Sequence, residues 1–250
     1  MNLVILERAE VRDSGVVELS GPRAAHLLNV LRVGLGDDVR VGLLDGARGT
    51  GVVESVAGGV VVLRCAFDAA VVPRPRIDVL LALPRPKVMR RLWAQIAALG
   101  VGQIILTNAE RVERQYFDTH VIAPDCYRPL LVEGLQQARD TWLPGVSVHR
   151  RFKVLVEDEL DGLFGFGRRL VADPGADRRL GTGGWGPIDD RALLAIGPEG
   201  GWNAFEIGLL EAHGFEPIGM GPRTLRTDTA CIALLALAHA SLSVDRRVAG

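Results

Sequence analysis

Two short segments near the carboxyl end carry the residue types that backbone-led ligand binding needs. One is Gly197-Pro198-Glu199-Gly200-Gly201; the other is Met220-Gly221-Pro222-Arg223-Thr224-Leu225-Arg226-Thr227-Asp228-Thr229-Ala230. Each follows an apolar, strand-like run (Ala192–Ile196 and Phe215–Ile218) and leads into a helical one. In open α/β sheets ligands bind just outside the carboxyl ends of the strands. Glycine there lets backbone N–H and C=O groups come close to a ligand, because no Cβ intervenes. Two such loops close together in sequence predict two walls of one pocket.

The first loop also has a purely structural reading. Asn203 with Glu206 three residues on makes an N-cap and its capping-box partner, for a helix that runs to His213 and stops at Gly214. It is not G-x-G-x-x-G, and no G-x-x-x-x-G-K-[ST] occurs, so dinucleotide and nucleoside-triphosphate binding lack their usual signatures. In the second loop Thr227, Asp228 and Thr229 can each cap the following helix, and one cap suffices. Arg226 is the odd residue, since a cation at a helix N-terminus meets the positive end of the macrodipole. A residue that breaks a local rule beside a glycine-rich loop is a functional suspect. Its structural alternative is an ion pair with Glu199 or Asp228.

Together, GPEGG followed by a (L/M)GPR-x-LR-T-(E/D)-TA segment resembles the RsmE-like 16S rRNA uridine-N3 methyltransferases of the SPOUT superfamily. The resemblance implies a SPOUT-type trefoil-knotted parallel sheet with helices on both faces, plus a small N-terminal PUA-like β-barrel. Deep knots are almost absent from proteins in general, so the knot rests on the resemblance alone. It further implies S-adenosylmethionine (SAM) as cofactor, held by Ala172, Gly197, Glu199, Gly201, Met220, Gly221, Leu225 and Arg226. The chemistry implied is transfer of the sulfonium methyl to N3 of a uridine. Arg226 would orient the uracil or stabilise charge as N3 loses its proton, and Glu199 is the nearest candidate base. The implied partners are 16S rRNA or the small ribosomal subunit, and a second copy of the chain in a homodimer. The helix from Ala230 to Ser241, apolar on nearly every face, reads as buried all round and agrees with a subunit interface.

The match departs from the family in the middle of the chain. Ala98-Leu99-Gly100-Val101 stands where the family reads E-L-G-V, and Gln136-Gln137-Ala138-Arg139-Asp140 where it reads E-Q-S-G-R. Asp228 replaces a glutamate, a milder change. The departures fall on what the resemblance makes the substrate side, while the cofactor loops are kept. Two other classes stay open: a knotted methyltransferase acting on another RNA position, and an RNA-binding protein that keeps the fold without the activity.

The elements that must position these loops read as two domains, 1–72 and 73–250. The first is β-rich: Val16–Leu19, Val39–Val41, Gly51–Val56 and Val60–Leu63 are short Val-rich runs punctuated by Gly and Asp, the pattern of a small barrel or sandwich. Between them Gly21–Arg32 has helical spacing at Leu27, Leu28 and Leu31. His26, Val30, Leu31 and Arg32, with Gly36-Asp37 and Asp45-Gly46, carry the resemblance to the family's PUA-like RNA-binding part; His26 and Arg32 also read as ordinary helix-surface residues. Val71-Val72-Pro73-Arg74-Pro75-Arg76 is a linker, since two prolines resist helix and central strand.

Beyond it strand and helix alternate, as in a largely parallel sheet. Ile77–Leu83 is a buried strand; Lys87–Leu99 is a helix with Val88, Leu92, Ile96 and Leu99 on one stripe and Gly100 as its stop; Gln103–Thr107 is the next strand. Pro129–Asp140 is a further helix with Leu130, Leu131, Leu135 and Ala138 inward, then the strand Leu170–Asp173, with Arg178–Asp190 a flexible connection.

The formal net charge is −1, so the chain as a whole is no polycation. Its basic residues cluster from Arg74 to Arg91, where Arg85, Lys87 and Arg90, together with Arg32, are the candidate RNA-binding side chains. Only two of 29 basic residues are lysine. Arginine suits phosphate because its planar fork donates in pairs, although genomic base composition produces the same bias. Three widely spaced cysteines form no C-x-x-C pair, and the histidines show no H-x-x-x-H spacing, so neither a disulfide framework nor a metal enzyme is expected. No signal peptide or membrane span is legible, and the cytoplasm is the expected compartment.

Overall fold

The computed structural model describes residues 2–180, 191–221 and 223–242. The chain divides into two compact units. One comprises the residues up to Arg74 together with Pro129–Leu143; the other comprises Pro75–Arg128 and the residues from Pro144 onward.

The first unit is built on a 5-stranded sheet of order β1-β3-β4-β5-β2, formed by β1 (Val4–Leu6), β2 (Val16–Leu19), β3 (Asp38–Leu43), β4 (Ala47–Ala57) and β5 (Val60–Val71). The Val-rich runs supply β2 to β5, and β1 is an addition that its three residues were too short to announce. β4 and β5 pair as a hairpin, Ala57 opposite Val60. Its two-residue connection, Gly58-Gly59, has φ of 58° and 77°, the left-handed pair that a tight hairpin turn demands. Alternate residues such as Val17, Leu19, Val39, Val41, Val61 and Leu63 point into one apolar cluster, joined by Leu27 from beyond the short helix α1 (Gly21–His26). A π-helical turn, Leu27–Leu31, ends at Arg32 with φ 55°. The return segment of this unit is tied in by Asn2 N–H to Gln136 O at 3.1 Å and by the Thr141 hydroxyl to Gly46 O at 2.6 Å.

The second unit is a mixed α/β structure on a 6-stranded, wholly parallel sheet of order β11-β9-β10-β6-β7-β8. Its elements in chain order are β6 (Ile77–Ala82), α2 (Pro86–Ala98), β7 (Val101–Thr107), α3 (Pro124–Ala138), β8 (Gly145–His149), α4 (Phe152–Val154), α5 (Leu160–Leu163), β9 (Arg168–Ala172), β10 (Ala192–Ile196), α6 (Ala204–Ala212), β11 (Phe215–Ile218) and α7 (Thr227–Ala240). The later part of α3 belongs to the first unit. β6 and β10, central in the sheet, are buried at every residue, as a strand covered on both faces must be. α2 buries Val88, Met89, Leu92, Trp93 and Ile96, and Gly100 at φ 77° ends it.

Two local expectations are corrected. α3 begins at Pro124, not Pro129; Pro124 takes the first turn, where a missing N–H costs nothing, and Pro129 sits inside the helix. Ala138 is exposed, while Leu131 and Leu135 are buried. Within the single chain, α7 buries Cys231, Leu234, Leu235 and Ala238, while Ala236 is exposed and Ile232, Ala233 and Leu237 are half-buried. The connection expected over Arg178–Asp190 lies mostly outside the described residues.

Asp78 on β6 is fully buried and ion-paired with Arg191, whose guanidinium also lies over the Phe164 ring at 4.9 Å. Among the described residues no helix is long and apolar enough to cross a membrane, and no cluster of three His, Cys, Asp or Glu could hold a metal ion.

Candidate functional site

The carboxyl ends of β9, β10 and β11 lie side by side, and the chain leaves each of them through a glycine- or proline-rich turn. After β10 the segment 197–203 leads into α6. Here Asn203 accepts the Glu206 N–H at 2.8 Å while the Glu206 carboxylate accepts the Asn203 N–H at 2.8 Å, the reciprocal box expected. After β11 the segment 219–226 leads into α7. Asp173 beyond β9 runs alongside, its N–H bonded to Ile218 O at 2.9 Å.

Between these turns is a cavity of about 400 Å³. Ala172, Gly197, Glu199, Gly201, Met220, Gly221 and Leu225 all line it, so the two loops do face each other. The Thr227 hydroxyl donates to Gly197 O at 3.5 Å, a long bond that spans the two loops. Ile196, Ile218 and Leu234 give the cavity an apolar floor, and the loops add backbone polar groups. A pocket of this size with a mostly apolar lining and few fixed polar groups suits a nucleoside-sized ligand.

Arg226 stands apart from the other predicted residues. It does not line the cavity, its side chain is 73% exposed, and its Nε lies 3.6 Å from Asp228 Oδ1. Of the two partners weighed for it, the structure therefore shows Asp228. Arg226 is itself the N-cap of α7, without a side-chain capping bond. The expectation that Thr227, Asp228 or Thr229 caps this helix is thereby corrected: all three lie within it. Asp228 instead reaches Arg91 of α2 at 3.1 Å.

Glu199 is exposed at the cavity wall, and its Oε1 accepts the backbone N–H of Arg85, the N-cap residue of α2, at 3.1 Å. Arg85, Lys87 and Arg90 are all exposed at the start of α2; the Arg90 guanidinium lies 3.7 Å from Cys126 Sγ. Arg32 is exposed in the first unit. Ala98 is exposed on α2. In the first unit the backbone carbonyl of Gln136 accepts the Asn2 N–H, and Asp140 Oδ1 accepts the N–H of Thr141 at 2.6 Å and of Trp142 at 3.2 Å. Neither lines the cavity.

Two further residues shape the site without having been singled out in the sequence. Trp202 packs its indole against Gly197, where a Cβ would come within 3.2 Å of the ring and 3.1 Å of the Trp202 backbone nitrogen; the missing side chain makes the close approach possible. Gly221 has φ 111°, a backbone conformation closed to other residues without strain. These are the cradles expected where backbone, rather than side chains, meets a ligand, so the residues present fit SAM. The other missed residue is Arg111, which donates to the Gly200 carbonyl from the loop after β7. Its only sequence signal was its charge; Trp202 was marked by its place directly after the glycines.

The chain matches the family model for the RNA methyltransferase domain over residues 72–239. It is 29% identical over 250 residues to the ribosomal RNA small subunit methyltransferase E of Treponema pallidum, covering 96% of this chain and 92% of that one. A protein of the same name from Synechocystis is 28% identical over 235 residues, covering 90% of this chain and 73% of its own. A crystal structure of ribosomal RNA small subunit methyltransferase E from Neisseria gonorrhoeae, bound to S-adenosyl methionine, is similar with a TM-score of 0.76. That likeness covers 97% of this chain and 98% of the other at 20% identity, and is one of fold.

Proposed function

Since this chain belongs to the RNA methyltransferase domain family, we propose that it is a SAM-dependent ribosomal RNA methyltransferase that modifies N3 of a uridine in 16S rRNA. The observation that carries the reading is the glycine-cradled cavity where the turns after β9, β10 and β11 converge. The names of the relatives support the small-subunit RNA as substrate.

SAM, when bound, supplies an electrophilic methyl group on a sulfonium. The protein's share of the work is then to hold both reactants, place N3 in line and help remove its proton. Ala172, Gly197, Gly201, Met220, Gly221 and Leu225 are assigned to cofactor binding in this reading. Glu199 is the proposed proton acceptor, its orientation held by the Arg85 N–H. Arg226, directed to Asp228, is assigned to the uracil side and not to the cofactor, because its exposed guanidinium is available to an incoming nucleotide.

The finer architecture belongs to the same proposal: the trefoil knot, helices on both faces of the sheet, a PUA-like barrel over 1–72 and a catalytic domain over 73–250. Arg32, Arg85, Lys87 and Arg90 are the proposed RNA contacts, supported by their exposure. A homodimer is supported by the incompletely buried apolar side of α7. The cytoplasm is the compartment this substrate requires.

Labelled SAM incubated with small-subunit particles tests the whole reading. Label recovered in 3-methyluridine of 16S rRNA is the expected result; label in another nucleoside would move the target, and none would overturn the activity.

A further inference from the structure

A second cavity, of about 350 Å³, opens at the carboxyl end of β7, between the segment following Thr107 and the start of α6. Asn108, Arg114, Phe152, Lys153, Phe205 and Glu206 line it. Phe205, the second residue of α6, has 61% of its surface exposed. A lone exposed phenylalanine means little; one that walls a polar cavity offers a flat ring face to whatever enters. Asn108 lines the cavity, and its Oδ1 is buried from solvent with no hydrogen-bond partner, where buried polar atoms are normally satisfied. Glu206, by contrast, is fully engaged: its oxygens accept the N–H groups of Glu110 at 2.7 Å and Asn203 at 2.8 Å. That fixes the loop after β7 against α6 and leaves recognition to the amide and the ring. Arg114 and Lys153 are exposed cations that also line it, Lys153 lying 3.7 Å from Glu157.

The position of this cavity relative to the cofactor site is set by one aromatic pair. The Phe152 ring packs on Trp202 with centroids 5.3 Å apart; Phe152 faces the second cavity and Trp202 the first. A ligand in one is thus a ring pair away from a ligand in the other.

We propose that this second cavity is a nucleobase subsite, which takes an unstacked base of the RNA strand near the nucleotide being methylated. Resting on the RNA methyltransferase reading above, it stacks that base on Phe205, meets its polar edge with the Asn108 amide and holds the adjoining phosphate with Arg114 and Lys153. An aromatic face, an amide that both donates and accepts, and flanking cations are the combination that single-stranded RNA recognition uses. A free inorganic anion would use neither ring nor amide, and would meet the Glu206 carboxylate at the wall.

The test uses the full chain with 16S rRNA and SAM, measuring KM for RNA, kcat, and S-adenosylhomocysteine affinity by calorimetry. Phe205→Ala is expected to raise KM for RNA by roughly 5- to 100-fold while cofactor affinity stays unchanged, as loss of one base–aromatic stack does. Phe205→Trp, which keeps a ring face, restores KM; Phe205→Leu, which keeps only apolar bulk, does not. Asn108→Ala raises KM on its own. If the wild-type chain methylates RNA but Phe205→Ala leaves KM unchanged, or Leu restores it as well as Trp, the subsite is wrong and the activity stands. If the wild-type chain binds S-adenosylhomocysteine but methylates no RNA, the activity assignment fails and the subsite falls with it.

Discussion

The Glu199 carboxylate accepts the backbone N–H of Arg85 at 3.1 Å, so a residue of the GPEGG loop caps the amino end of α2 from a distant part of the chain. Arg85, the N-cap residue, makes no capping bond of its own. The first-turn donors of a helix need outside acceptors, and an anionic one also suits the helix dipole. One side chain therefore joins the wall of the cavity to the helix that presents Arg85, Lys87 and Arg90.

That position lets substitution separate the observed bond of Glu199 to the α2 amino end from its proposed part in proton removal. Glu199→Gln keeps an oxygen for the Arg85 N–H and is expected to hold the melting temperature while losing methyl transfer. Glu199→Ala loses the cap as well, about 1 kcal/mol for a helix N-terminus. Thermal melts beside turnover assays read the two apart; a fully active Gln variant would end the proton-acceptor assignment.

Gly221→Ala places a Cβ on a backbone held at φ 111°. Strain of about 1–3 kcal/mol is expected at such a position. The turn relaxes away from the cavity, and S-adenosylhomocysteine binding measured by calorimetry weakens by at least about tenfold, the equivalent of 1.4 kcal/mol.

Asp78→Ala leaves Arg191 without its buried anion between β6 and β10. Removing one partner of a buried pair costs about 3 kcal/mol or more. A chemical denaturation midpoint lowered without a change in slope is the expected result; Asp78→Asn, which keeps an oxygen acceptor, is milder.

Burial holds the His239 imidazole below its ordinary 6.5. The unfolded chain therefore takes up this proton at a higher pH than the folded chain does. The stability linked to neutral His239 is complete above about pH 6.5 and is lost as pH falls below it. A melt series from pH 7.5 to roughly 5 should show that decline, and His239→Gln should flatten it.

Cys231 is fully buried, and burial pushes its thiol up to about 12; Cys65 is buried and pushed up to about 11. Cys126 is partly exposed. Brief iodoacetamide treatment of the native protein is expected to modify Cys126 ahead of both, because the thiolate is the reactive form; peptide mapping reads the order.

What the sequence determined by itself were features whose cause lies within a few residues. Ala192–Ile196 is apolar without alternation, which suits only a strand covered on both faces. Asn203 and Glu206 stand at the spacing of a capping box and form one. Gly58-Gly59 permits a turn that few other pairs permit. The two glycine-rich loops announced a pocket because strand ends in a parallel sheet leave room there, and they line one.

Only the tertiary structure decided which distant residues meet. The strand order sets β10 between β9 and β6, bringing Glu199 to Arg85 and Arg111 to the Gly200 carbonyl. It turned Arg226 toward Asp228 and away from the cavity, and within the single chain it buried only part of α7 although its composition is apolar on nearly every face. Pro129 lies inside a helix that begins five residues earlier, at Pro124. Hydrophobic period and turn chemistry act over a few residues, whereas these contacts depend on which strand lies beside which. That order is set by the packing of the whole sheet, and no local pattern encodes it.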